Sequence, residues 1–260
     1  MRRAKVLATL GPASNSPETI ESMLKAGLNA IRINMSHGTP EEHAATINIA
    51  REAAKKLDYP LAVLIDLCGP KIRTGTLENG AAVELIAGQM FTITTREIVG
   101  NKNEVATNFS HIVDVVDPGT RILIDDGAIE LAVESETETD VICRVVRGGT
   151  LKQRKGINLP NTTLPIPSLT EKDRIDLVWA MKQNADYIAL SFVRKAEDCK
   201  EVIEIIKKLN TREMGRALLV AKIEKAEAIE NLDEIIRATD GVMVARGDLG
   251  VETSVELVPV

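Results

Sequence analysis

Aromatic residues are nearly missing from this 260-residue sequence, which has one Trp, two Tyr and three Phe. Proteins that stack nucleobases need several exposed rings, so a single-stranded nucleic-acid platform is excluded. Basic excess is missing as well. The 32 Lys and Arg are outnumbered by 38 Asp and Glu, for a net charge of −6, so any anion site must be a local pocket. Cysteine is sparse: Cys68, Cys143 and Cys199 show no CxxC spacing, which implies no structural zinc and reads as free thiols in a reducing compartment. No apolar run reaches membrane-spanning length. The run in MRRAKVLATLGP stops at Gly11-Pro12, too early for the core of a signal peptide. A cytoplasmic protein without nucleic-acid or membrane partners is therefore expected. Nucleotide-binding glycine motifs are absent too, with no GxGxxG after the first strand and no GxxxxGK[ST] anywhere.

What is present is an α/β rhythm. KVLATL (Lys5–Leu10), AIRIN (Ala30–Asn34) and LAVLIDL (Leu61–Leu67) read as strands ended by Gly-Pro or polar loops. Between them, Ser16-Pro17 and Thr39-Pro40-Glu41-Glu42 open helices with an N-cap and proline at the first helical position. The rhythm breaks from about Pro70 to Pro167, where short alternating segments separated by Asn-Gly, Asp-Pro-Gly, Asp-Asp-Gly and Gly-Gly predict a small all-β module. It resumes with Thr170 as N-cap, then YIALSF (Tyr187–Phe192) and a helix from about Ala196 to Leu209. A strand at Leu218–Ile223, one helix over Ala226–Ala238 and a second buried strand at Gly241–Ala245 follow.

Alternation with both faces buried leaves a (β/α)8 barrel or an open doubly wound sheet. Polar residues follow many different strands: Asn34 and Ser36, Asp66, Ser191, Lys222 and Glu224, Asp248. Assembly from many strand ends favours the barrel. Eight units need about 250 residues, and the insert occupies roughly a hundred here, so six of eight units fit. The expected organisation is barrel over 1–69, an inserted all-β domain over 70–167 and barrel again over 168–260, short of the closing strands; the family resemblance described below makes the insert a lid and adds a C-terminal domain.

The stretch LLVAKIEKAEAIENLDEIIRATDGVMVARGDLG (Leu218–Gly250) concentrates the chemistry. Alternation along a strand puts Lys222 and Glu224 on one side, and Asp248 follows the next strand. Two acids and a base at strand ends suit a divalent metal and an anion, or equally an ordinary ion-pair cluster. Gly247 would let backbone approach a ligand.

Four ordered motifs resemble the pyruvate kinase family: Arg32-Ile-Asn34-Met-Ser36-His37-Gly38; Asp66-Leu-Cys-Gly69-Pro70-Lys71-Ile-Arg73-Thr74-Gly75; Lys155-Gly156-Ile-Asn158-Leu-Pro160; and Ala221-Lys222-Ile-Glu224 with Met243-Val-Ala-Arg246-Gly247-Asp248-Leu-Gly250. The resemblance implies a TIM-type barrel with a β lid and phosphoryl transfer between phosphoenolpyruvate and ADP, giving pyruvate and ATP. It implies Glu224 and Asp248 as ligands of Mg²⁺ or Mn²⁺. Lys222 and Arg32 would act on the phosphoryl group, while Ser191, Arg246, Gly247 and Asp248 frame the substrate. Arg73, Lys155, Asn34 and His37 would lie toward the nucleotide. For His37 a loop histidine without a further task, for Ser191 a hydroxyl bonded to backbone, and for Lys155 a solvated basic run are the plainer alternatives. The family's K⁺ pocket would map to Asn34, Ser36, Asp66 and Leu67. Here, however, a leucine replaces its threonine, and Lys71 stands where K⁺-dependent members carry glutamate. The ammonium of Lys71 could serve as the built-in cation, so K⁺ is expected to be unnecessary. A homotetramer is expected only of the complete protein, and the chain alone is expected to turn over weakly. Two further possibilities are a Mg²⁺-dependent aldolase or lyase barrel and a non-catalytic fragment.

Overall fold

A computed structural model describes residues 3–209, 217–253, 256 and 258. The chain separates into two compact units. The first comprises residues 1–70, 167–223 and 227–244; the second comprises 71–166, 224–226 and 245–260.

The first unit opens with β1 (Leu7–Thr9), α1 (Pro17–Lys25), β2 (Ala30–Asn34), α2 (Pro40–Lys56) and β3 (Ala62–Asp66). Both predicted caps form. Ser16 accepts from the Thr19 amide, and Thr39 and Glu42 make a reciprocal capping box, which satisfies amides the first helical turn leaves unpaired.

In the second unit lie β4 (Val83–Leu85), β5 (Met90–Thr94), β6 (Glu104–Ala106), β7 (Arg121–Ile124), β8 (Ile129–Glu136), β9 (Asp140–Arg147), β10 (Gly149–Leu151) and β11 (Ile157–Asn158). They form a six-stranded sheet, β11-β7-β8-β9-β5-β6, and a ribbon of β10 with β4. Phe91, Ile93, Ile122, Leu131, Val141 and Cys143 pack its core. The β7–β8 turn runs through Asp125, Asp126 and Gly127 with φ of 55°, 55° and 82°, left-handed values that turn residues tolerate. Gly148 is needed for contact, because a Cβ there would sit 2.2 Å from the Leu85 carbonyl oxygen.

The chain continues through α3 (Glu171–Lys182), β12 (Tyr187–Val193), α4 (Ala196–Leu209), β13 (Leu218–Ile223), α5 (Ala226–Glu230), α6 (Leu232–Ala238), β14 (Gly241–Val244) and α7 (Arg246–Glu252). In the first unit the strands form one parallel sheet in the order β1-β2-β3-β12-β13-β14. This is the strand–helix progression of a TIM-type (β/α)8 barrel carrying six of its strands.

Three expectations are corrected. The helix expected over Ala226–Ala238 is two helices, because the Asn231 side-chain amide donates to the carbonyls of Arg194 and Glu227 and interrupts the backbone ladder. Ile235 is fully buried, whereas Ile229 and Ile236 of the same apolar stripe are 42% and 49% exposed. The strand at Gly241–Val244 is not buried on both faces: Val242 and Val244 are 40% and 53% exposed, since β14 is an edge strand among the described residues. Finally, β13 ends at Ile223, so strand alternation does not carry through to Glu224.

Candidate active site

Within the first unit the site is organised around Asp66, the last residue of β3. Register pairs Arg32 with Leu64 and Asn34 with Asp66, so Arg32 and Asp66 share a face of the sheet. Asp66 is 1% exposed. Its Oδ2 accepts from Arg32 Nε at 2.7 Å and from Arg32 Nη2, while its Oδ1 lies 3.2 Å from Lys222 Nζ. Arg32 Nη1 also donates to Thr9 Oγ1 at 3.0 Å. A guanidinium has five N–H donors; three are engaged here, which leaves two. One buried carboxylate thus holds two cations at the carboxyl ends of parallel strands.

Ser191 sets the direction of Lys222. Lys222 Nζ donates to Ser191 Oγ at 2.7 Å, and the hydroxyl proton goes to the Leu67 carbonyl at 2.7 Å. The hydroxyl is thus bonded to backbone, as the plainer reading of Ser191 expects, and it also accepts from Lys222. Its position comes from a bulge: Leu190 pairs with Ala221 and Val193 with Ile223, so Ser191 and Phe192 stand opposite the single residue Lys222. Phe192 has a φ of 55°, and its carbonyl accepts from Ser168 Oγ at 2.8 Å. Gly69, at φ 67°, is the other support. A Cβ there would lie 2.8 Å from the Phe192 ring and 2.9 Å from Ser191 Cβ, and its amide donates to the buried carboxylate of Asp173 at 3.2 Å. Asp173, Phe192 and Ser168 were not singled out from the sequence, because nothing in a Ser-Phe-Val strand signals a left-handed residue that needs such supports.

Residues assigned to the monovalent-cation pocket are already engaged. Asn34 Oδ1 accepts from the Ser36 amide at 3.0 Å, both oxygens of Asp66 face cationic side chains, and the Leu67 side chain is buried. His37 is exposed, and His43 Nε2 lies 2.8 Å from its carbonyl oxygen. A carbonyl only accepts, so that ring nitrogen carries the proton.

The second unit holds the remaining candidates. Arg73 pairs with Gly156 in an antiparallel bridge, and Thr74 exchanges hydrogen bonds with the Lys155 backbone, so Arg73 and Lys155 occupy facing segments. Lys155 Nζ sits 2.8 Å from Asp125 Oδ1; Arg73 Nη1 reaches the Arg154 carbonyl at 3.5 Å. Lys71 is half-buried, and its carbonyl accepts from Asn108. Glu224 is buried directly after β13, Arg246 and Gly247 are exposed at the start of α7, and Asp248 is half-buried in its first turn. No cluster of three or more His, Cys, Asp or Glu able to hold a metal occurs among the described residues. The carboxylates of Glu224 and Asp248 are hard oxygen donors of the kind that suits Mg²⁺ or Mn²⁺, which take most remaining positions from water and substrate oxygens.

Comparison with known proteins agrees across the chain. The model of the family "Pyruvate kinase, barrel domain" matches residues 1–260. The chain is 45% identical to a pyruvate kinase of Methylorubrum extorquens over 258 residues, 99% of this chain and 52% of that protein. It is 41% identical to one of Clostridium perfringens over 261 residues, 100% of this chain and 54% of that protein. The crystal structure of a pyruvate kinase from Cryptosporidium parvum superposes with a TM-score of 0.91 at 36% identity, covering 99% of this chain and 53% of that one. The chain spans about half the length of the curated relatives it matches.

Proposed function

The chain belongs to the pyruvate kinase family, and from that premise we propose that it carries the machinery for phosphoryl transfer between phosphoenolpyruvate and ADP, giving pyruvate and ATP in the cytoplasm. The observation that carries this reading is the Asp66 cluster, a buried carboxylate with two cations at the strand ends. Both cations are held there by directed hydrogen bonds, and a guanidinium and an ammonium fixed at strand ends suit the oxygens of a phosphoryl group.

Arg32 would use its two remaining N–H groups on a phosphoryl oxygen. Lys222, aimed by Ser191 and Asp66, would donate to the charge that develops on the transferring group and on the oxygen it leaves. The exposed backbone at Arg246 and Gly247 would receive the substrate carboxylate. Arg73 and Lys155 would take ADP phosphates. Asp125 is a half-exposed partner of Lys155, and such pairs are weak, so a phosphate can replace it. Asn34 and His37 are assigned to the nucleotide side. Glu224 and Asp248 would hold Mg²⁺ or Mn²⁺, which when bound would neutralise substrate oxygens. We assign the role of monovalent cation to the Lys71 ammonium, so K⁺ is not required. The same reading makes 70–167 a lid inserted between barrel segments 1–69 and 168–260, and assigns homotetramer formation to protein of its relatives' full length.

The test is a coupled assay for pyruvate with phosphoenolpyruvate, ADP and Mg²⁺. Formation of pyruvate that needs all three, and is lost in Lys222→Met, is expected. Pyruvate formation without ADP would instead indicate a lyase. The exposed face of β14 at Val242 and Val244 favours a second reading for the 260-residue chain alone, weak turnover by a sheet with an open edge. Turnover as fast as that of the pyruvate kinases it resembles would refute that second reading.

A further inference from the structure

A second buried ion pair has no part in the chemistry above. Lys225 Nζ lies 2.9 Å from Glu252 Oε2, with side chains 9% and 2% exposed. The other oxygen, Oε1, accepts from Asn158 Nδ2 at 2.8 Å, so each oxygen of the buried carboxylate has its own donor. All three residues belong to the second compact unit.

Taking two charges out of water is costly, and apolar residues of similar volume are often as good for stability or better. What such a pair supplies is a fixed separation between the two backbone segments that carry it. Here those segments are the ones bearing the candidate metal ligands. Lys225 is bonded to Glu224, which is itself buried. Glu252 lies four residues beyond Asp248 in α7, hence on the same helical face. Asn158 ends β11, which pairs with β7, so the junction is also braced against the sheet.

We infer that Lys225 and Glu252 form a strut that sets the spacing of the Glu224 and Asp248 carboxylates, and so the affinity for a divalent cation, with Asn158 as its brace. They are positioning residues, since neither need touch the ion. The inference rests on the metal site proposed above. Neutralising one end lets the segments part without removing a ligand, which predicts weaker metal binding by a protein that remains folded.

The experiment is a Mn²⁺ titration of the purified protein, reading free Mn²⁺ by electron paramagnetic resonance, with urea unfolding in the absence of metal as the folding control. Glu252→Gln and Lys225→Met should each raise the Mn²⁺ Kd by about tenfold to a hundredfold, the range for residues that support metal ligands. The swap of Lys225→Glu with Glu252→Lys should recover most of the loss. Glu224→Gln separates the two layers of the argument. If wild-type protein fails to bind Mn²⁺, or Glu224→Gln binds as wild type does, the metal site is wrong and the strut falls with it. If Glu224→Gln abolishes binding while folded Glu252→Gln leaves Kd unchanged, the strut alone is wrong. Should both single variants fail to fold, Asn158→Ala decides: a rise in Kd of about tenfold supports the strut, and an unchanged Kd overturns it.

Discussion

Lys222 and Ser191 face each other across a bulge, with Nζ 2.7 Å from Oγ. Lys222 has a second anchor in Asp66, 3.2 Å away, and Asp66 in turn keeps Arg32. Removing the lysine therefore leaves Asp66 paired with Arg32. Lys222→Met should lose less than the ~3–5 kcal/mol typical of breaking a buried pair. Its pyruvate formation should fall by at least about 10²-fold, the scale for a donor aimed at developing charge. Urea unfolding and the coupled assay on one preparation check both. A variant that keeps wild-type activity would remove Lys222 from the mechanism.

Gly69 and Phe192 form the support beneath that bulge. Gly69→Ala must place a methyl group at φ 67°, 2.9 Å from Ser191 Cβ. The flexible ring of Phe192 can move aside, but Ser191 Cβ cannot shift without moving the hydroxyl that holds Lys222. A loss of about 1–3 kcal/mol is expected, the usual scale of local backbone strain, together with reduced kcat. Gly11→Ala is the control: its Cβ would meet nothing within 4 Å, and its stability should stay within about 0.5 kcal/mol of wild type.

Burial pushes the thiols of Cys143 and Cys199 up to about 12 from an ordinary 9.0. Folded protein keeps these protons at a pH where the unfolded chain has lost them. Stability from both groups is thus fully present below pH 9 and declines as pH rises from 9 toward 12. Cys68 is half-exposed. A thiol reagent at pH 8 should modify one cysteine in native protein and all three in denaturant. Rapid modification of two or three in the native state would contradict the burial.

How much of this was legible in the sequence depends on range. Strands were legible because β-branched runs end at Gly-Pro and polar loops, and helix starts because Ser16, Thr39 and Thr170 cap their own neighbours. The pairing of Arg32 with Asp66 needed strand register, and the Lys225–Glu252 contact needed the fold itself. Apolar period misled at residues 226–238, where the Asn231 side-chain amide donates to the Arg194 carbonyl, far away in sequence. Burial misled at β14, because hydrophobicity does not reveal which strand lies at an edge. The left-handed Phe192 left no trace, since glycine or asparagine is the usual mark of that conformation.

The monovalent cation offers the sharpest test of the family departure. Leu67 is 1% exposed and presents carbon where K⁺-dependent relatives would offer a hydroxyl. On the reading proposed above, Lys71 supplies a positive charge in place of the glutamate that the resemblance leads one to expect. Either change alone should fail to create a cation site: Leu67→Thr leaves the lysine to repel K⁺, and Lys71→Glu leaves the threonine oxygen missing. The double variant Leu67→Thr with Lys71→Glu restores both, although a buried hydroxyl without a partner costs about 1–3 kcal/mol. Wild-type pyruvate formation should be the same in K⁺ and in tetramethylammonium, while the double variant should be slow in tetramethylammonium and recover with K⁺. A wild-type rate that collapses without K⁺ would return the pocket at Asn34, Ser36 and Asp66 to its family role. It would also show that the lysine does not substitute for the ion.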